Sequence, residues 1–388
     1  MIRKIILVLA GLVYDLVCIP LIFLALLFSI FLKKLRGYII TRSGPVSILH
    51  YISACRKKHP AFLLCSSIGE LEQAIPLINE LELKKQPYFI FFHSKNGLQY
   101  AQKLGYTNCT IMPFDLFTLW LIIFLYCPPS HCIINRHEFW PGFIFCSVIW
   151  KNLFIINAVQ KENPAFIEKT WRTWIYHNSN KVFFVNNTST LKANQFCSGD
   201  TRWDRLVQRY HAEQKEIELL KTTLIYGNKK ILLLGNAYIN DASLLSGLLN
   251  RYPAIILNWQ ILIIPSRPQM ATAISDLLGD NHDKTSVIPV IGKLFQYYAC
   301  ADIAWVGGGF DKTGVHNTLE PAYFHIPVIS GPCFNHQPDA LLLKEKNGLH
   351  TFNTVEELND LLSSQLISNK VDTVNNVSPT KMIMNEIF

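Results

Sequence analysis

The sequence predicts an α/β protein of two Rossmann-like, doubly wound halves behind an N-terminal apolar anchor helix, and three observations carry that prediction. From Ala61 onward, short apolar runs alternate with amphipathic segments, the pattern of strands separated by helices and hence of a parallel sheet. The same pattern restarts at Ile231 after a polar, charged stretch, so the chain repeats an architecture rather than enlarging one core. Ahead of both halves, Ile5 to Leu32 is almost wholly apolar.

A chain of 388 residues accommodates two such domains, and the expected division is an anchor with its basic flank at 1–44, a first domain at 45–215 and a second at 216–388. Hydrophobic residues make up 50% and charged residues only 16%, a balance that favours membrane contact. The net charge of +8 is scattered through aliphatic and aromatic sequence without a nucleic-acid-binding motif, which argues for anionic lipid or an anionic sugar and against nucleic acid. Ten cysteines lie mostly in apolar runs with no CxxC pair, and read as reduced core thiols of a cytosolic body. No paired carboxylates or DxD-like cluster recommend a metal, so no cofactor is expected.

The anchor is flanked by Arg3 and Lys4 before it and by Lys33, Lys34, Arg36 and Arg42 after it, and the heavier C-terminal flank places the body in the cytoplasm. Its part without charge, Leu16 to Leu32, is at the lower limit for a span, and Asp15 would be costly inside one. A crossing helix and a helix lying in the interface both remain open. Phe62 to Cys65, Tyr88 to Phe92, Cys132 to Ile134, Leu153 to Ile156 and Val182 to Val185 read as strands, and Glu70 to Leu83 as an amphipathic helix. Phe117 to Tyr126 is too short to span and reads as a buried helix or an interfacial patch. In the second half, Ile231 to Leu234, Ile261 to Ile264, Val287 to Val290, Ile303 to Val306 and Val328 to Ile329 are the expected strands. Thr354 to Leu362 opens with a capping box, a loose polar tail is expected at 369–378, and a last short helix at 379–388.

Four motifs carry candidate chemistry. After the strand Ile303 to Val306, the glycines Gly307, Gly308 and Gly309 and a helix expected over Asn317 to Phe324 form a phosphate cradle, although Asn317 with Glu320 is also a capping box. SSIGE at 66–70 delivers Glu70 to a strand's C-terminal end, either as a general base or as the cap partner of Ser67. HEFWP at 137–141 places Glu138 after the strand that ends at Ile134, and GDTRWD at 199–204 carries Arg202 at the join between the halves.

With SSIGE followed by QAIPLINEL, HEFWP, the INA at 156–158, GDTRWDR and the ADIAWVGGG, GVHNTLEPA and PVISGP block in this order, the chain resembles the 3-deoxy-D-manno-octulosonic acid (Kdo) transferases over nearly its whole length. The resemblance implies a GT-B fold, with an acceptor site in the first domain and a nucleotide-sugar site in the second facing a cleft. It implies an inverting transfer of Kdo from CMP-Kdo to the lipid A precursor in lipopolysaccharide biosynthesis, with the body on the cytoplasmic face of the bacterial inner membrane. By residue, it implies Glu70 as general base, Glu138 as the second acid, Arg202 as a stabiliser of developing charge, and Ser67 and Gly69 beside the acceptor. For the donor it implies Pro265, Ser266 and Arg267, the turn Gly292, Lys293 and Leu294, and Gly308, Gly309, Asn317, Thr318, Leu319 and Glu320. Arg136 stands where many members carry a further acid, Ser266 where a basic residue or His is usual, and Asn236 with Ala237 where Ser-Thr is usual. Another GT-B transferase with a different nucleotide sugar, or an inactive membrane-tethered homologue, are the alternatives.

Overall fold

The computed structural model describes residues 2–40, 42, 53, 58–136, 138–160, 164–186, 191–224, 229–279, 281, 285–312, 314–335, 337–364 and 378–388. Cys55, His137 and the tail expected at 369–378, apart from Ser378, lie outside the described residues. Two compact units emerge, Met1–Arg205 with Val377–Phe388, and Leu206–Asn376.

The first unit opens with helices α1 (Ile2–Phe28) and α2 (Lys33–Ile40). Its sheet is built from β1 (Ala61–Cys65), β2 (Tyr88–Phe92), β3 (Cys109–Ile111), β4 (Cys132–Asn135), β5 (Leu153–Ala158), β6 (Lys181–Phe184) and β7 (Gln195–Cys197). The strands are all parallel, in the order β3-β2-β1-β4-β5-β6-β7. Helices α3 (Ile68–Leu83), α4 (Lys95–Lys103), α5 (Phe117–Tyr126), α6 (Pro141–Trp150) and α7 (Phe166–Asn178) make the crossovers. Strands this apolar are buried on both faces, as a parallel sheet requires. Phe62, Leu64, Phe91, Ile134 and Ile155 face α5, α6 and α7, while Leu63, Ile90, Ile133 and Ile156 pack with Leu71, Ile75 and Ile78 of α3. Strand order reverses between β1 and β4, so the loops that leave these two strands diverge and open a crevice at their C-terminal ends.

Helix α8 (Arg202–Leu224) leads into the second unit, whose strands are β8 (Lys230–Ala237), β9 (Trp259–Pro265), β10 (Thr285–Val287), β11 (Ile303–Val306), β12 (Val328–Ser330) and β13 (Leu349–Thr351). They are parallel in the order β10-β9-β8-β11-β12-β13, again with the reversal beside the first strand. One face packs on α9 (Ile239–Arg251), α10 (Ala271–Leu278) and α14 (Val355–Ser363), through Leu232, Leu234, Ile263 and Trp305. Toward the other lie α11 (Leu294–Tyr298), α12 (Leu319–Tyr323) and α13 (Pro338–Glu345), with Phe295, Tyr298, Leu319 and Ala340 buried.

Three expectations need correction. The last helix, α15 (Pro379–Ile387), was assigned with 216–388, yet it belongs to the first unit: its apolar Ile383 and Met384 are buried in the core that α3 shares, and Lys181 bonds the Glu386 carboxylate at 2.6 Å. The helix expected over Asn317 to Phe324 shrinks to α12, because the Asn317 side chain takes the Leu319 N–H at 3.0 Å in a local turn and Thr318 is tied to Asp339. The strand expected at Val287 to Val290 ends at Val287, before Pro289.

Candidate active site

In the first unit the crevice is flanked by the loops after β1 and β4, and these carry the two acids of interest. Ser67 is the N-cap of α3, its hydroxyl accepting the Glu70 N–H at 3.4 Å. The Glu70 carboxylate reaches back to accept the Ser66 N–H. The cap is therefore real but displaced by one residue from an ideal capping box. Burial, and after it the negative charge of Glu138, push the Glu70 carboxyl up to about 7, against the pull of the Ser66 N–H and the Arg136 guanidinium. Glu138 itself accepts the Trp140 indole N–H at 2.6 Å, and the Trp140 ring stacks on His93 with centroids 4.7 Å apart. Burial, with the charge of Arg42, pulls the His93 imidazole down to about 4, so it is neutral at pH 7.

Beneath these side chains a polar network fixes the backbone that presents them. Asn135 donates to the Glu70 carbonyl at 2.7 Å, and Asn157 donates to Asn135 at 2.9 Å and to the Thr201 hydroxyl at 2.8 Å. Thr201 returns its N–H to Asn157 at 3.0 Å and its O–H to the Gln73 carbonyl at 2.6 Å. Asn157 is left-handed, with φ 52°, where the β5–β6 register shifts; Asn tolerates that conformation better than most residues. Arg202 is forked on buried Asp200, its Nε at 2.9 Å and Nη2 at 2.7 Å, and Arg136 lies 4.0 Å from the same carboxylate. Burial works against the Asp200 charge, but the Arg202 and Arg136 cations outweigh it and hold its carboxyl below the usual range.

In the second unit the loops after β8 and β11 flank the corresponding reversal. Gly307, Gly308 and Gly309 allow close backbone approach: a Cβ on Gly307 would fall 2.3 Å from the Asn236 carbonyl oxygen, and one on Gly309 2.5 Å from the Gly331 nitrogen. The expected cradle is changed in two respects. The Gly308 N–H goes at 3.1 Å to the carboxylate of Asp241, which also takes the Tyr238 N–H at 2.9 Å, so an internal carboxylate holds this loop. Burial raises the Asp241 carboxyl to about 6. Tyr238 stacks on His316, with its hydroxyl 2.9 Å from the imidazole Nε2. With α12 reduced to five residues, little helix dipole is left to favour an anion there.

The candidate donor residues fall on three loops of this unit. Pro265 ends β9, Ser266 donates its N–H to the Ala237 carbonyl at 3.0 Å, and Arg267 is exposed. Gly292 turns with φ 73°, Leu294 starts α11, and Lys293 pairs with Glu216 at 2.8 Å. Glu320 accepts from Arg209 at 3.0 Å, whose guanidinium lies 4.4 Å from the centre of the Phe295 ring. Ser67 and Gly69 lie exposed in the first turn of α3. The residues that sequence reasoning missed are Asp200, Asn157, Thr201, Asp241 and Arg209. Asp200 and Thr201 stood inside the GDTRWD motif, and Asn157 inside INA, so a signal existed for those three.

The chain is similar to known proteins in sequence and in fold. Residues 47–187 match the family described as 3-deoxy-D-manno-octulosonic-acid transferase (kdotransferase). A 3-deoxy-D-manno-octulosonic acid transferase of Haemophilus influenzae is 23% identical, over 92% of this chain and 89% of its own. One from Aquifex aeolicus is 24% identical, over 77% of this chain and 84% of its own. Among solved structures, the UDP-GlcNAc 2-epimerase of Neisseria meningitidis superimposes with a TM-score of 0.62 at 15% identity, covering 84% of this chain and 99% of its own. Acinetobacter baumannii MurG gives 0.58 at 12% identity, covering 85% and 99%. These likenesses show the GT-B fold. In its motifs, in the family match over residues 47–187 and in its relatives, the chain is similar to the Kdo transferases.

Proposed function

We propose that the protein is an inverting glycosyltransferase that moves Kdo from CMP-Kdo to a hydroxyl of the lipid A precursor in lipopolysaccharide biosynthesis. The body would work on the cytoplasmic face of the bacterial inner membrane, with no metal cofactor. The observation that carries this reading is Glu70, a half-buried carboxylate at the C-terminal rim of a parallel sheet, with its carboxyl raised to about 7. A base of that strength is about half ionised at neutral pH and strong enough to accept a hydroxyl proton. As the acceptor oxygen bonds to the anomeric carbon, its proton passes to Glu70. The bond from that carbon to the phosphate oxygen breaks, and CMP leaves with the electron pair.

Arg136 and Arg202, both braced by Asp200, supply fixed positive charge beside the acids of the first unit. The nucleotide is assigned to the loops of the second unit at 265–267, 292–294 and 317–320. The net charge of +8 suits an acidic sugar donor and an anionic lipid acceptor.

The test is to incubate membranes containing the protein with CMP-Kdo, generated in situ, and a lipid A precursor, and to weigh the products by mass spectrometry. One or more added Kdo masses are expected. Transfer from a UDP-sugar but not from CMP-Kdo would assign the fold a different donor, and no transfer from either would mark an inactive homologue.

A further inference from the structure

We propose that α1 crosses no bilayer but lies along one leaflet, clamped to the first unit through Asp15, with an anionic lipid headgroup in the basic pocket at its N-terminal end. The proposal rests on the reading of the protein as membrane-attached and specifies the attachment.

The clamp is built from named contacts. Leu7, Gly11 and Asp15, four residues apart, form the buried stripe of α1. The Asp15 carboxylate accepts the Phe117 N–H at 2.7 Å and the Thr118 N–H at 2.9 Å, two donors of the first turn of α5 that have no partner within their own helix. An acid that would be costly in lipid is thereby the N-terminal cap of a helix in the globular body. Beside it, the Tyr14 hydroxyl donates at 3.0 Å to Asp115, which caps α6 through Gly142 at 2.9 Å and Phe143 at 3.2 Å. A Cβ on Gly11 would come within 2.4 Å of the Phe117 ring, so the helices touch closely there. Arg3 bonds Asn178, the last residue of α7.

Two consequences exclude a crossing. Once α1 is fastened as far as Asp15, the rest of it, Leu16 to Phe28, spans roughly 20 Å at 1.5 Å per residue, against about 30 Å of hydrocarbon. The chain also returns: Arg36 donates to the carbonyls of Ser29, at 3.0 Å, and Ile30, closing the turn into α2, and β1 then lies in the same unit that holds Arg3. Among the described residues only one helix is long and apolar enough to cross, and one crossing would put Arg3 and β1 on opposite sides.

The occupant of the exposed side of α1 follows from its chemistry. Leu9, Val13, Leu16 and Phe23 are exposed, as are Phe31 in the turn that follows α1 and Ile122 and Leu125 on α5, the helix that Asp15 caps. Cations stand at both ends of α1 and none stands between. At the C-terminal end are Lys33 and Arg36. At the N-terminal end, Arg3, Lys4, Lys151 and His177 line a pocket of about 380 Å³ that has no acidic side chain in its wall. An apolar helix with basic ends suits the headgroup boundary of an anionic leaflet. Pro20 removes one rung of the helix ladder and lets the outer half bend along that surface.

The test uses the full chain carrying Ile2→Cys, with the wild type as background, in spheroplasts treated with a membrane-impermeant maleimide. Labelling above the wild type is expected only after permeabilisation, and labelling from outside would overturn the proposal. Gly11→Leu should lower the melting temperature, because it drives a side chain into Phe117; unchanged melting would show that α1 is not clamped. Lys151→Glu should lose roughly fivefold in partition onto phosphatidylglycerol vesicles and nothing onto phosphatidylcholine vesicles. Equal partition, or competition by millimolar inorganic phosphate, would remove the lipid headgroup from the pocket. None of these readouts uses sugar transfer, so the proposed activity and the proposed attachment fail separately.

Discussion

Glu70 answers to two neighbours of opposite sign, and the balance between them is measurable. After burial, Glu138 is the main influence raising its carboxyl, while Arg136 and the Ser66 and Ser67 N–H groups lower it. If Glu70 must be ionised to act, kcat/KM rises with pH through an apparent pKa of about 7 and levels above it. Glu138→Gln, which removes the charge and keeps the shape, should move that limb toward acid, and Arg136→Gln should move it toward base. A limb that stays in place in both variants would detach the titration from Glu70. The same shift has a stability consequence. The folded state holds this proton more tightly than the unfolded chain, whose ordinary value is 4.5, so the contribution is complete below 4.5 and is lost as pH rises through about 7. Thermal melts of the wild type against Glu70→Gln should therefore diverge across that window and run parallel outside it. The sequence allowed a cap or a base at this position, and the structure shows a displaced cap whose carboxyl is raised. Glu357 makes the same displaced cap at the start of α14, bonding the Asn353 N–H at 2.7 Å, but it is exposed. What distinguishes Glu70 is supplied by Asn135, Arg136 and Glu138, far away along the chain, and spacing within a motif cannot report such neighbours.

Strands whose residues are all apolar were legible, and strands that rely on their neighbours were not. Tyr88–Phe92 and Ile303–Val306 coincide with the runs read from sequence, while β3, β7 and β13 went unread because three-residue strands with Thr, Gln or His lack a periodic signal. All three are edge strands, each added to a sheet already specified by its centre. The glycine loop after β11 was found, but its partner Asp241 was not, since a carboxylate three residues after Tyr238 reads only as a helix start. Its packing gives a paired prediction. Gly307→Ala puts a methyl 2.3 Å from the Asn236 carbonyl oxygen and should cost about 1–3 kcal/mol, seen as a lower melting temperature of the second unit. Gly69→Ala, in the first turn of α3, meets nothing nearer than the Ser67 hydroxyl at 4.0 Å and should melt like the wild type or slightly above it. Equal effects from the two would mean that backbone approach does not fix the loop.

At the scale of the whole chain, the fold class and the two-unit plan followed from the alternation of runs, but the path of the last helix did not. Ile383 and Met384 are too few to reveal which sheet they cover, and only the assembled core beside α3 decides it. Deleting 378–388 should therefore lower the melting of the first unit and leave that of the second unchanged, a separation that limited proteolysis of each unit would read. A loss confined to the second unit would contradict the placement of α15. The central claim, the proposal that the protein transfers Kdo with Glu70 as its base, is tested most directly by single-turnover transfer from CMP-Kdo to the lipid A precursor with Glu70→Gln, whose amide can still accept the Ser66 N–H. The account predicts a rate loss of about a hundredfold or more in a protein that remains folded. A folded variant that transfers Kdo at close to the wild-type rate would contradict it and leave Glu70 as a helix cap.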